Sequence, residues 1–97
     1  MNLVYAPRVE DDLVDAATFY EGRSPGLGED FLTAFRRAVD ALVLAPTSGP
    51  PVEGGPVRRS MVMRFPYAVY YRAEPERVLV LAVTHTRRHP EAWKARR

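Results

Sequence analysis

The sequence contains no cysteine. A disulfide framework and a thiolate-held zinc site are therefore both excluded, and a cytoplasmic location is expected rather than a secreted one. No apolar run approaches the roughly 18 residues needed to span a bilayer. The N-terminus, Met1-Asn2-Leu3-Val4-Tyr5-Ala6-Pro7, lacks the basic region and long apolar core of a signal peptide. No membrane partner is expected. There is no glycine-rich phosphate loop, since Gly26 and Gly28 fall in a short turn between two helical patterns. Ser24, Ser48 and Ser60 have no nucleophile-elbow context. Lysine is almost missing as well: Lys94 is the single lysine among 14 cationic side chains.

What is there fits one small domain spanning residues 1–97, with 46% hydrophobic residues for one modest core. Charge is distributed unevenly. Residues 1–53 carry nine acidic and four basic side chains, a balance of −5, whereas residues 57–97 carry ten basic and three acidic ones, a balance of +7. This split predicts a basic surface built by the second half and an anionic partner for it. Arginine favours bidentate contacts with phosphate and carboxylate, although a GC-rich genome produces the same excess.

Asn2 to Ala6 is a short apolar stretch that predicts a strand. Pro7 suits the first position of a helix, and Val9, Leu13, Ala16, Ala17 and Tyr20 recur at helical spacing up to Gly22. Asp11, Asp12, Asp15 and Thr18 are assigned to the solvated side. Ser24-Pro25-Gly26 makes a turn, and a second amphipathic helix runs from Leu27 to Ala45, where Pro46 stops it. Residues 46–56 hold four prolines and three glycines, which predicts a mobile loop. Three strands follow: Val57 to Met63, Phe65 to Arg72, and the unbroken apolar run Val78 to Thr84, expected to be central. His85 to Arg97 reads as a polar tail with a short helical piece after Pro90. The fold class is α+β: an N-terminal strand, then a helical hairpin packed on one face of an antiparallel-rich sheet whose C-terminal three strands form a meander. The other face is expected to be partly open.

Two constellations bear chemistry. Arg58, Arg59, Arg64, Tyr67, Tyr70, Tyr71 and Arg72 interleave on two strands, and arginines beside tyrosines neutralise phosphates and stack on bases. Ordinary half-buried strand decoration accounts for the same pattern. His85-Thr86-Arg87-Arg88-His89 closes the last strand and holds both histidines of the chain. Histidine acts as acid or base near neutrality, and arginine stabilises a pentavalent phosphorus transition state. A solvated basic tail with a structural His85 is the competing interpretation. No acidic cluster or cysteine completes a metal-ligand set around the histidines, so neither metal nor cofactor is expected.

Arg58-Arg59, then Arg64-Phe65-Pro66-Tyr67-Ala68-Val69-Tyr70-Tyr71, then an apolar strand closing in His85-Thr86-Arg87-Arg88 with Pro90 and Trp93 beyond, resembles the RelE/ParE toxins, including those called plasmid stabilisation proteins. Tyr20-Glu21 followed by Gly26-Leu27-Gly28-Glu29-Asp30-Phe31 is similar too, so the resemblance covers nearly the whole chain. It implies the growth-inhibiting toxin of a type II toxin–antitoxin system, neutralised by a cognate antitoxin in a hetero-oligomer. Family members divide by target. ParE-like toxins poison DNA gyrase, whereas RelE-like toxins are ribosome-dependent, metal-free mRNA endoribonucleases. By position, Arg59, Arg64 and His85 match the catalytic places of the cleaving members. Arg58, Tyr71, Arg87, Arg88 and Arg96 are the candidates for target or phosphate binding. The near absence of lysine, and of any tyrosine beyond Tyr71, departs from the cleaving pattern, and the arginine-ended tail leans toward the gyrase branch. A non-toxic module that only binds antitoxin is the third alternative. The antitoxin segment is expected to lie across the basic half, beside open strand edges.

Overall fold

A computed structural model describes residues 1–96. The elements are β1 (Asn2–Tyr5), α1 (Val9–Arg23), α2 (Leu27–Leu44), β2 (Val57–Met61), β3 (Tyr67–Ala73), β4 (Arg77–His85) and a 3₁₀ helix (Ala92–Arg96). The four strands form one mixed sheet in the order β1-β4-β3-β2. β2, β3 and β4 are an antiparallel meander, and β1 lies parallel to β4, with Leu3 opposite Val78 and Tyr5 opposite Val80. A parallel neighbour needs a long crossover, and the helical hairpin supplies the start of it. The α+β class and the hairpin-on-sheet arrangement therefore agree with the expectation.

The hairpin is held tightly at its turn. A Cβ at Gly28 would lie 2.5 Å from the Ala17 carbonyl oxygen, so glycine is what lets α2 approach α1 there. The Glu21 carboxylate accepts the Gly26 and Gly28 N–H groups at 3.0 and 3.1 Å, capping the start of α2. Phe31, Phe35, Val39 and Leu42 of α2 and Val9 and Ala16 of α1 then pack on the sheet face that carries Val69, Tyr71, Val80 and Val83. α1 begins at Val9 rather than Pro7, because the Val9 N–H closes a turn onto the Ala6 carbonyl first.

Three expectations are corrected. The second sheet face is less open than expected: Trp93, 3% exposed, packs there with Val57, Tyr70 and Leu81, its indole stacked 6.1 Å from the Tyr70 ring, and only the Arg59 and Met61 side of that face stays exposed. A β-bulge makes this possible. Tyr70 pairs with Ala82 and Tyr71 with Val80, which leaves Leu81 over and turns it with Ala82 toward Trp93.

The 46–56 loop, expected to be mobile with few paired backbone groups, is tied at several points. Tyr71 Oη accepts the Gly49 N–H at 3.0 Å, Arg59 N–H donates to Pro50 O at 3.1 Å, and Val52 N–H donates to Val57 O at 2.7 Å. Pro51 even forms an antiparallel bridge with Arg58, so the outer edge of β2 is covered along its first half.

Finally, β2 and β3 are shorter than expected at their shared turn. Val62 N–H bonds Tyr67 O and Phe65 N–H bonds Val62 O, closing a turn in which Arg64 takes φ 72°.

Candidate functional site

The nine-residue β4 carries His85 at its end, and the chain then turns back sharply. Backbone N–H groups of Arg87 and Arg88 donate to His85 Nδ1 at 3.1 and 3.2 Å. With Nδ1 an acceptor, the neutral ring carries its proton on Nε2. Burial pushes the His85 pKa below the usual histidine value, and the charges of Arg88, Arg87 and His89 push it the same way. His85 is thus a neutral histidine held in one tautomer by the turn it closes. Thr84 Oγ1 donates to the His89 carbonyl at 3.0 Å and fixes the far side of that turn.

Between this turn and α1 lies a hollow of about 270 Å³, walled by Phe19 and Tyr67, with His85 and Arg88 on one side and Asp12 and Asp15 on the other. The Tyr67 and His85 rings meet edge to face at 5.5 Å. The guanidiniums of Arg88 and Arg23 lie 5.2 and 5.1 Å from the Phe19 ring centre, in cation–π range. Burial raises the Tyr67 pKa; the Arg88 charge opposes this and Asp15 and Asp12 add to it. Among the described residues no three His, Asp or Glu side chains gather as metal ligands would.

The residues singled out from the sequence do not converge. Directly opposed residues of an antiparallel pair share a sheet face. Arg59 pairs with Tyr70 and so lies on the Trp93 face, whereas His85 pairs with Tyr67 on the helix face. Arg64 projects from the β2–β3 turn and lines a separate groove with Arg37 and Met61. Arg58 is committed to the loop, donating to Gly49 O at 2.8 Å and Thr47 O at 3.2 Å. Tyr71 is fully buried, its hydroxyl occupied by Gly49, so it is a core residue and not a surface contact. Arg96 is likewise turned inward, paired with Asp12 beneath the tail. Arg87 and Arg88 remain exposed, and Arg88 lines the hollow.

Sequence reasoning missed Asp12 and Phe19. A signal was present: Val9, Asp12, Ala16 and Phe19 follow one another at steps of three and four, so Asp12 sits on the buried stripe of α1, not opposite it.

A protein-family model described as the ParE toxin of the type II toxin-antitoxin system parDE matches residues 3–90. A search of curated proteins finds no match. Among solved structures, one described as the chromosomal ParDE TA system from P. aeruginosa superposes with a TM-score of 0.79 at 19% identity, covering 88% of this chain and 95% of that one. That likeness is one of fold.

Proposed function

This chain belongs to the ParE toxin family of type II toxin–antitoxin systems, and we propose that it arrests growth by poisoning DNA gyrase and is neutralised by a cognate antitoxin in a hetero-oligomer. The observation that carries the gyrase target is the separation of the candidate nuclease residues. Cleavage through a ribose 2′-hydroxyl needs a proton-transfer group and phosphate-binding cations around one scissile bond. Here Arg59 and His85 lie on opposite faces of the sheet, and Arg64 lines a third surface. A gyrase poison needs no such convergence, only a surface that binds. Arg87 and Arg88, exposed and without carboxylate partners among the described residues, supply its cationic part.

The test is which macromolecule is damaged soon after induction in cells. DNA breaks trapped in gyrase complexes, with messages intact, are expected. Rapid loss of translated messages with DNA intact would overturn the reading in favour of the ribosome-dependent nuclease. Growth without any arrest would overturn it in favour of a non-toxic antitoxin-binding module. His85→Gln should keep its toxicity, while Arg87→Ala with Arg88→Ala should reduce it.

A further inference from the structure

Tyr67 is 8% exposed, yet its hydroxyl makes no hydrogen bond within the described residues. It is also absent from the fully occluded polar atoms that lack partners, so it opens outward, and the space it borders is the hollow between α1 and the end of β4. The hydroxyl of this mostly buried tyrosine, unpaired by the described residues and open to the hollow, is available to an acceptor from outside. Two more donors border the same space. His85 has its proton on Nε2, because Nδ1 is occupied by two backbone N–H groups. Arg88 has no carboxylate within ion-pair distance among the described residues and lies against the Phe19 ring, itself 39% exposed. Opposite them stands Asp15, a carboxylate with no ion-pair partner among the described residues. Asp12 on that side is neutralised by Arg96.

We propose that this hollow binds a guanosine phosphate, the phosphate taking the Tyr67, His85 and Arg88 donors and the base edge taking Asp15. Each feature narrows the ligand class. A bare oxyanion satisfies the donors but meets the Asp15 charge. A cation satisfies Asp15 but meets Arg88. A ligand with a phosphate at one end and paired N–H donors at the other satisfies both, and guanine offers two adjacent N–H groups to a carboxylate's two oxygens. The aromatic walls, Phe19 and Tyr67, suit a planar base between those ends. The volume of about 270 Å³ falls just below the range of about 300–1,000 Å³ usual for ligand sites, so one nucleotide would fill the hollow and project partly from it. The inference does not rest on the gyrase reading, and it stands or falls separately.

The full chain titrated with GMP, AMP, UMP and inorganic phosphate, followed by the amide resonances of Ala16, Val83 and His89, tests it. Saturable binding is expected, with GMP about tenfold tighter than UMP or phosphate, the size of effect expected of a net hydrogen-bonded contact to a charged group. Tyr67→Phe should weaken GMP about fivefold without altering the thermal melt, because its hydroxyl has no partner among the described residues. Arg88→Ala should weaken every phosphate-bearing ligand about tenfold or more. Asp15→Asn should abolish the preference for GMP and keep the phosphate contact. A short oligonucleotide ending in guanosine separates two sources of the same ligand: tighter binding than GMP identifies a strand end, weaker binding a free nucleotide. No saturable shift with any nucleotide, phosphate binding as tightly as GMP, or unchanged affinity in both Tyr67→Phe and Arg88→Ala would overturn the site.

Discussion

Asp12 in α1 and Arg96 near the end of the chain form a two-pronged ion pair, with Arg96 Nη2 donating to Asp12 Oδ1 at 3.0 Å and Nη1 to Oδ2. Each side chain is only about a tenth exposed. The pair also completes the edge of β4 beyond the reach of β1. Val83 N–H donates to Asp12 Oδ2 at 2.9 Å, and Arg96 Nη1 donates to Leu81 O at 3.4 Å. One salt bridge thus stands in for a missing strand and fastens the 3₁₀ helix that carries Trp93.

Removing one member of such a pair leaves an uncompensated buried charge, which costs about 3–5 kcal/mol. Asp12→Ala and Arg96→Ala are each expected near the low end of that range, because both groups keep some solvent. Urea melts give the stability, and tryptophan fluorescence should shift to the red as Trp93 is released. Loss below about 1 kcal/mol in both variants would show that the tail is held by Trp93 alone.

The Gly49–Tyr71 contact ties the proline-rich loop to the core. Tyr71→Phe removes the acceptor of a buried N–H and should cost about 1–3 kcal/mol. Gly49→Ala places a Cβ 2.5 Å from Arg59 O and 2.7 Å from Tyr71 Oη, so the loop must move; overpacking of this kind costs about 1–3 kcal/mol. The Gly49 amide should exchange with solvent far more slowly than that of exposed Gly54. Equal, fast exchange at both would mean that the loop is not pinned in solution.

Leu81, 1% exposed, is the bulged residue of β4 under Trp93. Leu81→Ala should destabilise by about 2–5 kcal/mol. A change within the roughly 0.5 kcal/mol typical of surface sites would remove it from the core.

His85 gives the stability a pH dependence. Its pKa is lowered in the fold, chiefly by burial and then by the neighbouring arginines, so the unfolded chain takes up the proton more readily. The contribution is therefore complete above the unfolded value of about 6.5, and it is lost as pH falls from there toward the lower folded value. Between pH 7.5 and 5.5, His85→Gln should lose less stability than the unsubstituted chain. Parallel curves for the two proteins would count against this.

Much of the framework was legible because periodicity is local. The Leu27–Ala45 stripe and the Val78–Thr84 run carry their burial in their own spacing, and both elements lie where expected to within two residues. The tail was not legible in the same way. Asp12 and Arg96 are 84 residues apart, and no local pattern marks a contact at that separation. Trp93 was the available clue, a large apolar ring in an otherwise polar segment. The loop misled for a related reason: its composition lacks internal partners, but Tyr71 and Arg58, which lie outside it, supply them. At the candidate site, strand alternation does separate Arg59 from Arg58. What it could not give was the pairing register that sends Arg59 and His85 to opposite faces.

The bridge between Pro51 and Arg58 also bears on how this chain behaves in a crowd of its own copies. A bare sheet border templates further strands and so seeds fibrils. On the β2 side the border over Val57–Arg59 is occupied by a segment containing Pro50 and Pro51, and prolines bring no N–H to extend the ladder. Polymerisation is blunted there by composition rather than by charge. The remaining borders are the last two residues of β2 and the four-residue β1, so replacing Pro50 and Pro51 with threonine should turn a preparation of the chain toward aggregates that bind thioflavin.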